Sequence, residues 1–164
     1  MSSRLLNPAE LGERLAHGRP VRLLDARPAS QFAAGHLPGA LHLDPFGISL
    51  IDSRPAPLRA FEWIMQHLLE LRGVTRDEAV VVYEESSGMR AARLVWLLTL
   101  FGHPDARLLD GGITRWRAER RAVVRDAVAE NLDASQRIFA VVEQRRRGET
   151  RAQIAALAES PTLK

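Results

Sequence analysis

The chain has 164 residues, of which 46% are hydrophobic and 26% charged, enough for one complete domain and part of a second unit. No apolar run approaches the roughly 18 residues of a membrane span, and the first eight residues lack the apolar segment of a secretory signal. We therefore expect a cytoplasmic protein without membrane contact. The chain contains no cysteine, which excludes disulfides, thiolate metal sites and catalysis by a cysteine of its own.

The formal charge is +3 and the isoelectric point about 10.4, a balance that nucleic-acid-binding proteins often show. However, Lys164 is the only lysine, and the densest basic run, Arg145-Arg146-Arg147, is typical of a solvated helix face. Residues 135–163 have the length of two helices of a helix-turn-helix, but no recognition helix is present. The sequence therefore predicts no nucleic-acid partner.

The predicted elements alternate between helices and strands. Asn7 is a plausible N-cap for a helix over residues 8–15, and residues 44–57, which include three prolines, are predicted as a loop. The most apolar, β-branched run, Ala79–Tyr83, is typical of a central parallel strand. The other predicted elements are strand Val21–Asp25, helix 28–34, strand 40–43, helix 61–71, loop 84–88, helix 89–101, strand Ala106–Leu109 and a short helix with Trp116.

This alternation predicts an α/β fold with a central, mostly parallel sheet of about five strands and helices on both faces. In such folds sites form beyond the carboxyl ends of the strands, which directs attention to the loop after Tyr83.

The last part of the chain differs in character. We predict a first domain over residues 1–122, and a linker followed by helices over residues 123–164. Residues 152–164 resemble residues 9–22, allowing one gap, so the tail is interpreted as the helical start of a truncated second repeat.

Four segments in this order resemble the rhodanese (sulfurtransferase) family over about residues 5–120. They are Leu23-Leu24-Asp25-Ala26-Arg27, then Phe32-x-x-Gly35-His36-Leu37-Pro38-Gly39-Ala40, then Val80-Val81-Val82-Tyr83 entering its loop, and Asp110-Gly111-Gly112 before Trp116.

The resemblance implies that a catalytic cysteine should follow the third strand directly, in a loop whose amide groups hold anions. That position holds Glu84, and the loop continues as Glu85-Ser86-Ser87-Gly88-Met89-Arg90. A carboxylate cannot carry a sulfane sulfur, so we predict that this chain transfers no sulfur by itself.

The Tyr83-Glu84 pair, with Arg93 and the following helix, is similar to the first, non-catalytic domain of tandem thiosulfate and 3-mercaptopyruvate sulfurtransferases. The resemblance implies a cysteine-bearing second rhodanese domain as partner, in the same polypeptide or in a paired chain. Two alternatives stay open: a stand-alone regulatory or binding module, and a homodimer formed through an apolar face left exposed.

Glu84 has several interpretations. Its carboxylate could accept loop N–H bonds and fill the anion site itself, with Arg90 balancing its charge. A serine hydrolase built on Ser86 or Ser87 lacks a histidine nearby in sequence. The Glu84–Arg90 spacing matches the cysteine-x5-arginine loop of related phosphatases, but a glutamate there would repel phosphate.

For the remaining residues the sequence favours structural roles. Asp25 is predicted to hydrogen-bond loop backbone and Arg27 to pair with an acid, and the resemblance implies that His36 braces its loop. Arg90 and Arg93 are candidates for positioning a small anionic sulfur donor near the loop. Trp96 and Trp116 are predicted as core or domain-interface anchors. The histidines have no metal-ligand spacing, so no metal or other cofactor is expected.

Overall fold

The computed structural model describes residues 4–50 and 52–125. The predicted linker beyond residue 125 and the truncated repeat therefore lie outside the described residues. The chain divides into two units, Met1–Arg125 and Asp126–Lys164. Within the described ranges, no helix is long and apolar enough to cross a membrane.

Five parallel strands form one sheet, which confirms the predicted fold class. The strands are β1 (Leu5–Leu6), β2 (Val21–Asp25), β3 (Leu41–His42), β4 (Ala79–Tyr83) and β5 (Ala106–Leu109), in the order β1-β5-β4-β2-β3. The helices are α1 (Pro8–Ala16), α2 (Ala29–Ala34), α3 (Pro55–Glu70), α4 (Met89–Leu100) and α5 (Gly112–Ala118).

Strand β4 organises the core because all five of its residues are buried. Its side chains alternate between the two faces of the sheet, as the period of a strand requires. Val80 and Val82 pack with residues of α3 and α4, including Met65 and Leu94. On the other face, Val81 and Tyr83 pack with side chains of α1 and α5, namely Leu11, Ile113 and Trp116.

Two elements differ from the prediction. Strand β1 was not predicted, and it lies at the edge of the sheet with Leu5 and Leu6 opposite Leu108 and Leu109. Helix α3 begins at Pro55, within the segment predicted as a loop. Prolines are tolerated in the first turn of a helix because the N–H groups there have no intrahelical partner.

Candidate functional site

The loop of residues 84–88 connects the carboxyl end of β4 to the start of α4. The first turn of α5 holds this loop through its amide groups: Ile113 N–H donates to the Glu84 carbonyl and Thr114 N–H to the Glu85 carbonyl, both at 2.9 Å. Gly111 N–H donates to the Ser87 hydroxyl at 2.8 Å. Three hydrogen bonds therefore connect the loop to the start of α5.

Gly112 allows this close approach. Its φ is +56°, and a Cβ built there would lie 2.4 Å from the Glu84 carbonyl oxygen. Because that atom belongs to the backbone, a side chain could not be accommodated by a rotamer change. The Asp110-Gly111-Gly112 segment, identified in the sequence, thus positions α5 directly against the loop.

Glu84 lies half-buried at the position predicted for the nucleophile. Its Oε1 atom is buried and has no hydrogen-bond partner among the described residues. A Cβ built at Gly88 would lie 2.3 Å from this oxygen. The carboxyl group therefore occupies the space that Gly88 leaves open, and the loop N–H bonds expected at the Glu84 carboxylate are absent at its Oε1.

The Glu85 side chain contacts charged and polar groups outside the loop. Its Oε2 pairs with Arg27 Nη1 at 3.2 Å, its Oε1 accepts a hydrogen bond from the Thr114 hydroxyl at 3.2 Å, and Arg117 Nη1 lies 3.7 Å from Oε1. Sequence reasoning did not identify Thr114 or Arg117. Their spacing of three residues on a helix that follows the neighbouring strand was the available signal.

Asp25 and Arg27 form a buried ion pair beside the loop, with 0% and 2% of each residue exposed. Arg27 donates from Nη2 to Asp25 Oδ2 at 2.6 Å and to the Gly35 carbonyl at 2.8 Å. Burial by itself lowers the pKa of Arg27, but the hydrogen bond and charge of Asp25, with smaller contributions from Tyr83 and Glu85, raise it above its ordinary value. The guanidinium therefore stays charged and joins the end of β2 and the end of α2 to the loop.

The hydroxyl of Tyr83 belongs to the same buried cluster. It accepts a hydrogen bond from the Leu37 N–H at 3.1 Å. Burial and the neighbouring Asp25 carboxylate raise the pKa of Tyr83 well above its ordinary value. Tyr83 is therefore a neutral structural phenol in the folded chain.

His36, which the family resemblance implied to be a loop-bracing residue, is buried, with 1% exposed. Its Nδ1 lies 3.0 Å from the Phe32 carbonyl, its ring stacks on Phe32 at 3.9 Å between centroids, and its backbone pairs with Val124. Gly39, three residues on, has a φ of +76° in the turn before β3. No group of three or more acidic or histidine side chains in the described structure could hold a metal ion.

Arg90 and Arg93 both contact the segment after β3. Arg90 Nη1 binds both carboxylate oxygens of Asp44, at 2.6 and 2.7 Å, and its guanidinium lies over the Phe46 ring at 4.3 Å. Arg93 donates to the Ile48 carbonyl. Arg90 therefore does not balance the charge of Glu84, because an acid from another strand end takes that guanidinium.

The two tryptophans lie in different environments. Trp116 is buried, and its indole N–H donates to the Ala122 carbonyl at 2.7 Å. Trp96 is 60% exposed on the outer face of α4, so the core interpretation is wrong for this residue and the interface interpretation remains a prediction.

The loop thus presents two carboxylates, two serines and no thiol where the fold directs a site. Ser87 accepts its hydrogen bond from a backbone amide, and neither serine has a histidine partner among the described residues. Among the described residues, this loop therefore holds neither the thiol nucleophile of a sulfurtransferase nor the serine–histidine pair of a serine hydrolase.

Comparison with curated proteins gives a consistent set of relatives. The chain is 41% identical over 90 residues to the putative thiosulfate sulfurtransferase SseA of Mycobacterium leprae, covering 55% of this chain and 30% of that protein. It is 34% identical over 126 residues to the thiosulfate sulfurtransferase of Azotobacter vinelandii, covering 76% of this chain and 46% of the other. The chain thus spans about a third to a half of the length of these relatives.

Solved structures agree. The 3-mercaptopyruvate sulfotransferase SseA of Escherichia coli superposes with a TM-score of 0.62 at 25% identity, over 77% of this chain and 53% of that one. The rhodanese-like domain protein of Staphylococcus aureus superposes with a TM-score of 0.54 at 20% identity, over 76% of this chain and all of that one. The family model of the rhodanese-like domain matches residues 7–119, a range that includes the sheet, the Glu84 loop and the Asp110-Gly111-Gly112 turn. This chain belongs to the rhodanese-like domain family, whose sulfurtransferases are its relatives.

Proposed function

We propose that this chain is a rhodanese domain without sulfurtransferase activity of its own, and that it supports a cysteine-bearing second domain. The observation that carries the proposal is the placement of Glu84 as the first residue after the central strand, with its carboxyl group packed against Gly88. A carboxylate there can form no persulfide, and the chain has no cysteine.

The length of the relatives supports the second part of the proposal. The thiosulfate sulfurtransferase of Azotobacter vinelandii is matched over 46% of its length, so more than half of it lies outside the match. A silent domain in such an arrangement would act by packing against the catalytic domain and forming one wall of its cleft. Arg93, half-buried one turn into α4 and bonded to the Ile48 carbonyl, is the candidate to position an anionic sulfur donor electrostatically, whereas Arg90 is paired with Asp44.

The first experiment is a thiosulfate-to-cyanide sulfur transfer assay on the 164-residue chain. We expect no thiocyanate above the level of the heat-denatured chain. Turnover that disappears on denaturation would contradict the proposal. The Glu84→Cys variant is the matched comparison, because it places a single thiol at the same loop position in a chain that has no other cysteine.

The second experiment tests the supporting role. Residues 1–125 replace the matched part of the Azotobacter vinelandii enzyme, and kcat/KM for thiosulfate is compared with that of the same enzyme lacking the matched part. We expect the chimera to be the more active of the two. Equal activities, with the chimera shown by circular dichroism to be folded, would refute the supporting role while leaving the predicted inactivity of the chain untouched.

A stand-alone binding module is the second candidate. The observation that favours it is the Staphylococcus aureus rhodanese-like domain protein, which this chain covers over its whole length, so the fold is complete without a second domain. A module of this kind predicts a folded chimera that gains no activity.

A further inference from the structure

Exposed apolar side chains are concentrated on one layer of the molecule. Most of the large ones belong to α3, α4 and the segment after β3, whereas the layer of α1, α2 and α5 contributes Leu15 alone. On α4, the exposed fractions are 69% for Met89, 60% for Trp96 and 59% for Leu100. Contiguous exposed apolar surface of this kind marks an interaction site.

These side chains form a single stripe along α4. Met89, Arg93, Trp96 and Leu100 follow one another at spacings of four, three and four residues, which places them on one helix face. Ala92, also exposed, lies next to Arg93 on this face. We call Met89, Ala92, Arg93, Trp96 and Leu100 the α4 stripe.

The residue spacing of the α4 stripe is the same when it is counted from either end of the helix. Met89 lies as far before the midpoint of the helix as Leu100 lies beyond it, and Arg93 and Trp96 are related in the same way. If two copies of α4 pack antiparallel about a two-fold axis through that midpoint, Met89 faces Leu100 and Arg93 faces Trp96 of the other copy, twice. An isologous interface requires this self-complementarity.

We propose that the α4 stripe is the interface of a homodimer, with a second copy of this chain packed antiparallel on the first. Each Trp96 ring covers Ala92, whose small side chain leaves room for it, and contacts the Arg93 guanidinium of the other copy in a cation–π arrangement. Arg93 is held for this contact because it already donates to the Ile48 carbonyl.

The surroundings of the α4 stripe extend the contact. A groove of about 360 Å³ runs beside Trp96 and Leu100 and is lined by Leu50, Leu58 and Phe61. It opens at the end of the helix that receives Met89 of the second copy, and the unbranched side chain of methionine adapts to irregular apolar grooves. Two helices of 12 residues, each about 18 Å long, form a small contact by the standard of stable interfaces, so we expect an affinity no tighter than micromolar.

A dimer through the α4 stripe would cover Arg93, so this inference is an alternative to the donor-positioning role of Arg93, and it is independent of the proposed lack of sulfur transfer. The test is sedimentation velocity on the 164-residue chain over a concentration series. We expect the mass to rise from 18.3 kDa towards twice that value. Trp96→Asp should weaken the dimer by at least about 30-fold, as expected for an interface hot spot.

Trp63→Asp is the matched control, because Trp63 is 67% exposed on α3 but lies outside the α4 stripe. It should leave the dissociation constant within about twofold, a difference of less than about 0.5 kcal/mol. Since all these side chains are exposed, circular dichroism should show each variant folded. A chain that stays monomeric up to high micromolar concentrations, or a dimer that Trp63→Asp weakens as much as Trp96→Asp, would overturn the proposal.

Charge pairing tests the antiparallel register itself. Met89→Glu and Leu100→Arg should each weaken the dimer about tenfold or more, and the double variant should recover at least about tenfold because the new charges face each other across the interface. Within one chain the two positions are about 16 Å apart along the helix, so they cannot pair internally. A double variant no stronger than either single variant would refute the register.

Discussion

The buried ion pair of Asp25 and Arg27 provides the sharpest test of how the site is held. Arg27→Met keeps an unbranched apolar stem but leaves the Asp25 carboxylate, which is fully buried, without its cation. Breaking one partner of a buried pair costs about 3–5 kcal/mol. We therefore expect the free energy of unfolding to fall by about that amount and the Tm to fall by roughly 10 °C.

Arg90→Met is the matched control for this experiment. Arg90 also binds an aspartate with both carboxylate oxygens, but its side chain and that of Asp44 are about a quarter exposed. Solvent screens such a pair, so we expect a loss of only about 1 kcal/mol, including the contact with Phe46. The residue exchanged and the partner type are the same in both variants, which differ in the burial of the pair and in the further contacts of Arg27 with the Gly35 carbonyl and Glu85.

Urea denaturation followed by far-ultraviolet circular dichroism measures both losses by linear extrapolation. The Asp25→Asn/Arg27→Met double variant completes the cycle and should lose less than the two single losses together by at least about 1 kcal/mol, since it removes both charges. Equal losses for Arg27→Met and Arg90→Met, or strictly additive losses in the cycle, would show that the buried charge is not what stabilises this region.

Three further predictions concern the loop and its neighbours. Gly88→Ala should cost less than about 1 kcal/mol in urea denaturation, because its Cβ would meet only the end of the Glu84 side chain, which can rotate away. A loss of about 3 kcal/mol or more would show that the Glu84 carboxyl is fixed in place. Gly112→Ala should lower the free energy of unfolding by about 3 kcal/mol or more, since its Cβ would meet backbone. Gly18 has a similar φ but open space around it, so Gly18→Ala should lower that free energy by only about 1–2 kcal/mol. Equal losses for the two variants would contradict this reasoning. Tyr83 is the only tyrosine, and its pKa is raised above the ordinary 10.0, so the unfolded chain releases this proton at lower pH than the folded chain. The free energy of unfolding should therefore fall above about pH 10, by up to about 1.4 kcal/mol per pH unit. Tyrosinate absorbance that appears before unfolding, or an alkaline loss that is unchanged in Tyr83→Phe, would refute this.

The sequence predicted those elements whose local residue pattern and tertiary packing favour the same secondary structure. Ala79–Tyr83 is β-branched and apolar because both faces of β4 are covered, so its composition alone indicates a central strand. Leu5 and Leu6 form a strand of two residues whose pairing partner lies about a hundred residues away, and so short a segment carries no periodicity. Pro55 was misleading because a proline gives the same signal in a loop and in the first turn of a helix.

The position of the site was predicted from the sequence, but the contacts within it were not. The loop itself could be located, because parallel strands bring their carboxyl ends to one edge of the sheet. The partners of its charges could not. Nearness in sequence suggested that Arg90 would balance Glu84, but Asp44 takes Arg90, and Glu85 draws on Arg27 and Arg117. Such pairings depend on which loops meet in space, and a single sequence contains no measure of that.

The residues just after α5 bear on where the domain ends. The family match stops at residue 119, yet Ala122 accepts the indole hydrogen bond of Trp116, Val124 pairs with the His36 backbone, and Arg125 donates to the Ala34 carbonyl. Residues 122–125 therefore connect α5 to the end of α2 through hydrogen bonds. A chain cut at residue 119 would lose these bonds and expose Trp116, so the unit that can be moved into another protein intact extends through Arg125.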